Sequence, residues 1–315
     1  MKEKIQSIID EKIKNSRVYD LLEKNDILYI MIDIQTPVEQ KLSISLEKLI
    51  SDQLQVKTKL CLTQIKSQQT KQIKVKRKIP GVKKVIMICS GKGGVGKSTI
   101  SSYLAYCLSL TRHKVGLFDS DIYGPSIGKI FNIEDEIKIQ DGRFIPHEKF
   151  GVKLMSIGFI VKSDDALVWR GPMVTKTLSQ MLLQTNWKEL DYLIIDTPPG
   201  TGDVHLSLAE NYEIDGAIVV STPQSLALAN AHRSVDMLEK LKINLLGIVE
   251  NMAYIINQDS SKNFIFGEGN IENYSADKRL KLLAQIPIIQ EISQSSFTKN
   301  KKHLSKFISL ANFLY

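Results

Sequence analysis

Cysteine is scarce in this chain of 315 residues: there are three, Cys61, Cys89 and Cys107, with no paired spacing. That excludes a disulfide framework and a cysteine-built zinc site, and it points to a reducing compartment, the cytoplasm. No apolar run approaches the roughly 18 residues that span a bilayer, and the opening MKEKIQSIIDEKIK lacks the apolar core of a secretory signal. Internal repeats are missing too. A general basic face is also lacking, despite a net charge of +8. The segment from Lys66 to Lys84 holds eight basic residues and no acid, so the rest of the chain is close to neutral. The excess belongs to one segment, which argues against a nucleic-acid-binding surface.

With 43% hydrophobic and 24% charged residues, the composition is that of a globular protein. Residues 1–65 read as a small α/β domain. Ile5, Ile8, Ile9 and Ile13 have helical spacing, ILYIMIDI (27–34) is strand-like, Leu42, Leu46, Leu49 and Ile50 suggest a second helix, and VKTKLCLTQI (56–65) is β-rich. Residues 66–84 read as a basic, solvated linker ending at Pro80-Gly81. From residue 85 to 315, short apolar runs alternate with helical stretches: VIMIC (85–89), VGLF (115–118), VKLMSI (152–157), YLIID (192–196), GAIVV (216–220), LLGIV (245–249) and LLAQI (282–286). Such runs are strands buried on both faces, so the expected fold is α/β with a doubly wound, mainly parallel sheet.

VIMIC is followed by Ser90-Gly91-Lys92-Gly93-Gly94-Val95-Gly96-Lys97-Ser98-Thr99 and then by a helical stretch. This satisfies G-x-x-x-x-G-K-[ST] in the context it requires, strand before and helix after. The glycines let successive N–H groups turn inward onto phosphate oxygens, and the helix N-terminus adds positive potential. Lys97 is then the lysine for the β- and γ-phosphates of ATP and Ser98 the hydroxyl for Mg²⁺. Asp196 closes a buried strand, where a carboxylate holds the metal's water shell. After it come Thr197, Pro198, Pro199 and Gly200, with no glutamate to activate water. The prolines have no N–H, so Gly200 is the first donor able to sense a terminal phosphate, although a plain Pro-Pro-Gly turn fits as well. Lys92 is either a solvated lysine or a charge lying over the phosphates of a facing subunit.

The string SGKGGVGKST, together with DSDIYGPS (119–126), VWRGPM (168–173), DTPPGTGDVHLSL (196–208) and GIVENM (247–252), resembles the Mrp/ApbC branch of the MinD/ParA/nitrogenase-iron-protein class of ATPases. That branch comprises iron–sulfur cluster carrier ATPases, and the resemblance covers about residues 81–290. It implies a P-loop NTPase fold, an ATP-sandwich homodimer with Lys92 acting across it, Asp121 as the water-orienting residue and Asp119 on the metal side. It also implies iron–sulfur scaffold or apo-protein clients. Asp119 as a turn or helix-capping residue remains an alternative. Asn251 is implied as an adenine partner, with a capping role open beside it. His205 falls on an expected switch helix, and nothing local gives His205 or Arg170 a chemical role.

The sequence departs from this family at one place. Members carry a Cys-x-x-Cys pair after the asparagine–methionine motif, so that two subunits bridge a [4Fe–4S] cluster through four thiolates. Here Asn257 and Ser260 occupy those positions, and neither replaces a soft thiolate. Residues 1–65 resemble a shortened form of the small domain that precedes the ATPase in many relatives, with no diagnostic motif. The tail KKHLSKFISLANFLY (301–315) is basic and amphipathic, which suits packing on the core or contact with a membrane. The leading expectation is a Mg²⁺-dependent ATPase in iron–sulfur cluster assembly. The alternatives are a MinD/ParA-like positioning ATPase on membrane or DNA, and an ATP-gated adaptor with negligible turnover.

Overall fold

A computed structural model describes residues 2–14, 16–24, 26–34, 38–64, 76–160, 171–268, 270–278, 280–293, 297 and 301–314. The chain forms two units, Met1–Lys74 and Val75–Tyr315.

The first unit contains α1 (Lys2–Asp10), β1 (Arg17–Lys24), β2 (Ile27–Ile34), α2 (Gln40–Leu54) and β3 (Lys57–Gln64). Its three-stranded sheet has the order β1-β2-β3, with β1 antiparallel and β3 parallel to β2. Leu28, Ile30, Ile32 and Ile34 alternate inward from β2 onto Ile5 and Ile9 of α1 and Leu46 and Ile50 of α2. Strand β1, RVYDLLEK, has no clear signal in the sequence. Charges at both ends and at Asp20 hide its alternation, and among its described side chains only Val18 is buried.

The second unit runs β4 (Val82–Cys89), α3 (Lys97–Leu110), β5 (Val115–Asp119), α4 (Ile127–Phe131), β6 (Lys138–Gln140), β7 (Arg143–Ile145), β8 (His147–Lys149), β9 (Val152–Ser156) and α5 (Gly171–Gln184). It continues through β10 (Leu190–Asp196), α6 (Asp203–Asn211), β11 (Gly216–Ser221), α7 (Ser225–Lys240), β12 (Leu245–Asn251), β13 (Ile255–Ile256), β14 (Lys262–Asn263), α8 (Asn270–Asp277), β15 (Leu282–Ile286), α9 (Gln290–Ser293) and α10 (Lys301–Asn312). The main sheet has the order β15-β12-β11-β4-β10-β5-β9-β8, parallel throughout except for the antiparallel edge strand β8. All seven apolar runs are strands of this sheet. Residues of α3 and α10 cover one face, and residues of α5, α6 and α7 the other. The chain reverses direction about β4 and β10, and in open α/β sheets ligands bind at the strand C-termini of such a point.

The expected linker 66–84 needs correction at its end. Residues 66–75 lie outside the described residues, but Arg77 is bound to this unit by Arg77 N–H to Asn211 O at 2.8 Å and Glu213 N–H to Arg77 O at 3.0 Å. Ile79 is buried and β4 starts at Val82, not at 85. The strand tolerates its lysines because they lead outward: Lys83 pairs with Asp191 at 2.9 Å. At the other end, the tail buries Leu304, Phe307, Leu310 and Ala311 of α10 in the same core cluster as the α3 residues, so its apolar face is occupied by this unit. No described helix is long and apolar enough to cross a membrane.

Candidate nucleotide site

Strand β4 ends at Cys89 and α3 begins at Lys97, leaving residues 90–96 as the loop between them. Gly96 sits at φ +80° immediately before the helix, and a Cβ there would lie 2.2 Å from Asn251 Nδ2, so only glycine fits. Among the described residues, the amides of 91–96 donate to no main-chain carbonyl, the condition of an anion-binding loop. Lys97 opens α3 and places Nζ 2.8 Å from Asp196 Oδ1; the two side chains are 6% and 0% exposed. Ser98 and Thr99 follow in the first turn. Ser101, one helical turn beyond Lys97, donates its hydroxyl to the same Asp196 Oδ1 at 2.7 Å. No motif marks this residue in the sequence, although its i+4 spacing from Lys97 puts it on the same helix face. Asp196 Oδ2 is buried and has no hydrogen-bond partner among the described residues.

The parallel register pairs Asp196 of β10 with Ile88 of β4 and with Asp119 of β5. Two buried carboxylates thus end adjacent strands, and burial together with the Asp196 charge pushes the Asp119 carboxyl up to about 7. Asp119 spends its oxygens locally. Oδ1 accepts from the Asp121 amide at 3.1 Å, and Oδ2 accepts from the Ser126 amide (3.1 Å), the Ile127 amide (3.3 Å) and the Ser156 hydroxyl (3.0 Å). This is the turn- and helix-capping geometry. It sets the loop that carries Asp121 and leaves Asp119 poorly placed for a metal. Asp121 differs: its Oδ1 is buried without a partner among the described residues, and its carboxyl is raised by burial, which Lys97 opposes. It lines a cavity of about 440 Å³ between the 121–124 loop and the 198–204 segment, with Tyr123, Pro198 and Pro199 in the wall. That volume is in the range of small-ligand sites.

The loop after β10 is tied back to the phosphate loop. Thr197 donates its amide and its hydroxyl to Ile88 O, and Gly200 (φ +91°) donates its N–H to Ser90 O at 2.8 Å. The Gly200 amide, expected as a free phosphate sensor, is therefore engaged with the first residue of the 90–96 loop. Lys92 Nζ donates to Gln224 Oε1 at the start of α7 (3.3 Å), so its side chain leans on α7. Asn251 is 7% exposed and donates Nδ2 to Val95 O at 2.9 Å, bracing the loop from β12. An adenine contact by this side chain would compete with that bond. Arg170 lies outside the described residues.

His205, in the first turn of α6, is fully buried with neither ring nitrogen partnered among the described residues. Burial, and secondarily the Lys97 charge, lowers it to about 4. The unfolded ring titrates near its ordinary 6.5, so between those values the unfolded state binds the extra proton. The neutral ring's contribution is present above pH 6.5 and is lost as pH falls toward 4, by about 3 kcal/mol. Asp119, raised to about 7, acts with the opposite sign over the same window, because the folded chain keeps a proton that the unfolded chain has released. The His205 effect is therefore read as a difference. Urea unfolding at pH 7.5 and pH 5 is expected to give a larger acid loss for the native chain than for His205→Leu, and equal losses would refute the assignment.

The segment after Asn251 forms the β13–β14 hairpin, closed by its own polar groups. Asn257 Nδ2 donates to Ser261 Oγ at 2.9 Å, Ser261 Oγ to Asp259 Oδ1 at 2.6 Å, and the Ser260 amide to Asn257 O at 3.0 Å. Its donor set is amide, hydroxyl and carboxylate, which does not suit an iron–sulfur cluster.

A strand–glycine loop–helix whose lysine meets the carboxylate ending a neighbouring strand is the arrangement of a P-loop NTPase. The family model of the NUBPL iron-transfer P-loop NTPases (ParA) matches residues 81–309. The chain is 42% identical over 299 residues to an iron-sulfur cluster carrier protein of Rickettsia felis, covering 93% of this chain and 91% of that protein. The chain belongs to this family. It is also 43% identical over 222 residues to an Arabidopsis thaliana iron-sulfur protein required for NADH dehydrogenase, covering 70% and 71% of the two chains. Among solved structures, the nucleotide-binding protein of Archaeoglobus fulgidus in complex with ADP superposes with a TM-score of 0.61 at 32% identity, covering 75% of this chain and 90% of that one. The MinD of an Aquifex aeolicus MinC:MinD complex, at 20% identity and TM-score 0.53 over 74% and 96% of the chains, shares the fold.

Proposed function

We propose that this P-loop NTPase is a homodimeric, Mg²⁺-dependent ATPase that serves iron–sulfur cluster assembly in the cytoplasm, with scaffold or apo-protein clients. The observation that carries the ATPase reading is the buried Lys97–Asp196 pair beside an unpartnered Asp196 Oδ2. Mg²⁺ fits these residues: the Ser98 hydroxyl and the Asp196 carboxylate would hold it. When bound, it neutralises charge on the β- and γ-phosphate oxygens. Asp119 keeps the capping role, in place of the metal role expected for it.

The chain's own residues do the rest. The 91–96 amides and Lys97 bind and orient the triphosphate of ATP, and Lys97 leaves part of its pairing with Asp196 to do so. Asp121, which lines the cavity and carries a buried Oδ1 with no partner among the described residues, orients the attacking water and accepts its proton once water reaches that oxygen. Lys92 leaves Gln224 and reaches the phosphates of the facing subunit, like an arginine finger. Exchange of the Gly200 N–H from Ser90 O to the terminal phosphate would make the 197–202 loop a switch. The cluster is cargo, and with Asn257 and Ser260 in the hairpin this chain handles it without thiolates of its own at that place.

Complementation in a mixed dimer tests the reading. Lys92→Ala and Asp121→Asn are each expected to be inactive in phosphate release while retaining ATP binding. Mixed in equal amounts, they re-form one intact site in each heterodimer and recover about a quarter of native turnover. No recovery from subunits shown to exchange would remove the trans role of Lys92. Full activity of Asp121→Asn would remove the water-orienting role.

A further inference from the structure

On the outer surface, α6 and α7 enclose a groove of about 390 Å³ that the nucleotide chemistry does not use. Its apolar part is Leu206, Met237 and Leu241, with Leu206 38% exposed although its neighbours Val204, His205 and Leu208 are buried. Its charged part is Arg233, Lys240 and Asp236. The Asp236 carboxylate is already shared between His232 Nδ1 at 3.1 Å and Lys278 Nζ at 3.8 Å. Arg233 and Lys240 are exposed and form no ion pair among the described residues. The groove therefore combines a small apolar floor with two uncommitted cations.

We propose that this groove docks an acidic segment of a partner protein, one large apolar side chain entering between Leu206, Met237 and Leu241 and flanking carboxylates meeting Arg233 and Lys240. The volume suits one or two side chains, which favours a short segment over a folded face. The floor is aliphatic and offers no aromatic ring for base stacking, which favours peptide carboxylates over nucleic-acid phosphates. Rim charges of this kind set association rate and salt dependence, and the buried apolar anchor sets affinity. Thr201 also lines the groove, next to Gly200, whose amide is bonded to Ser90 O. A docked segment thus abuts the loop that joins Asp196 to α6.

The experiment selects displayed random short peptides on the full-length protein with no nucleotide added, so a failure here leaves the ATPase reading untouched. Selected peptides, synthesised with a fluorophore, are titrated by anisotropy. Expected are sequences with Asp or Glu on both sides of Leu, Ile or Phe, whose binding weakens with salt and falls about tenfold or more in R233E/K240E and in Leu206→Glu. Retained ATP binding by these variants shows that they are folded. Absence of an acidic–apolar consensus, equal binding to the variants, or displacement of the peptides by single-stranded DNA would each overturn the proposal.

Discussion

Lys97→Met is expected to lower Mg²⁺·ATP turnover by at least roughly 10²–10³-fold, because it removes the charge that orients the terminal phosphates. The same substitution strands a fully buried carboxylate. Among the described residues, Asp196 would keep only the Ser101 hydroxyl on Oδ1, with Oδ2 still unpartnered. Breaking a buried ion pair by deleting one member costs about 3–5 kcal/mol, whereas removing both members together is close to neutral. Hence Lys97→Met should be strongly destabilised, and Lys97→Met/Asp196→Asn should regain most of the loss while staying inactive. Urea unfolding followed at Trp187, buried in this unit, gives the stability comparison, and phosphate release gives the activity. Should the single variant prove as stable as the native chain, or turn over within tenfold of it, the central site assignment fails.

The second large effect is a gain. Asn257→Cys/Ser260→Cys should bind about four irons and four sulfides per dimer, where the native chain is expected to take up only background iron, since two such pairs supply the four thiolates of a [4Fe–4S] cluster. The native cysteines do not offer that set of exposed thiolates. Cys89 and Cys107 are fully buried, and burial pushes both thiols up to about 12, so neither is a thiolate near neutral pH. Cys61, in the first unit, is partly exposed and remains one thiol per subunit. Anaerobic reconstitution with iron and sulfide, read by metal analysis and visible absorption, separates the outcomes. A native chain that binds a stoichiometric cluster, and still does so as Cys61→Ser, would overturn this conclusion. Failure of the double variant to bind iron would mean that the hairpin, closed by Asn257, Asp259 and Ser261, does not present the pair.

Much of the molecule is legible from residue order because its signals are local. A buried parallel strand needs four to six consecutive apolar residues, and VIMIC or GAIVV satisfies that whatever its neighbours are. Strands that lack such a run escaped: β1, with Asp20 in its middle, the three-residue edge strand β8, and the short hairpins. Ile79 and Arg77 read as linker because their neighbours are lysines, yet Arg77 pairs with residues 211–213 and Ile79 is buried.

The site divides along the same line. The sequence by itself determined the phosphate loop, the lysine and hydroxyl at its end, the carboxylate closing β10 and the shortage of thiols, since each is a matter of residue type at short spacing. Only the tertiary structure decided what each group has for a partner. Asp196 and Lys97 are 99 residues apart and meet only because β10 lies against β4. Asp119 and Asp121, nearly indistinguishable in the string DSD, separate into a capping carboxylate with four donors and a cavity-lining one whose buried Oδ1 has no partner among the described residues. Asn251 braces the loop and α10 packs on the core for the same reason: hydrogen bonding and burial are satisfied by whatever the sheet order brings near, which residue spacing along the chain does not encode.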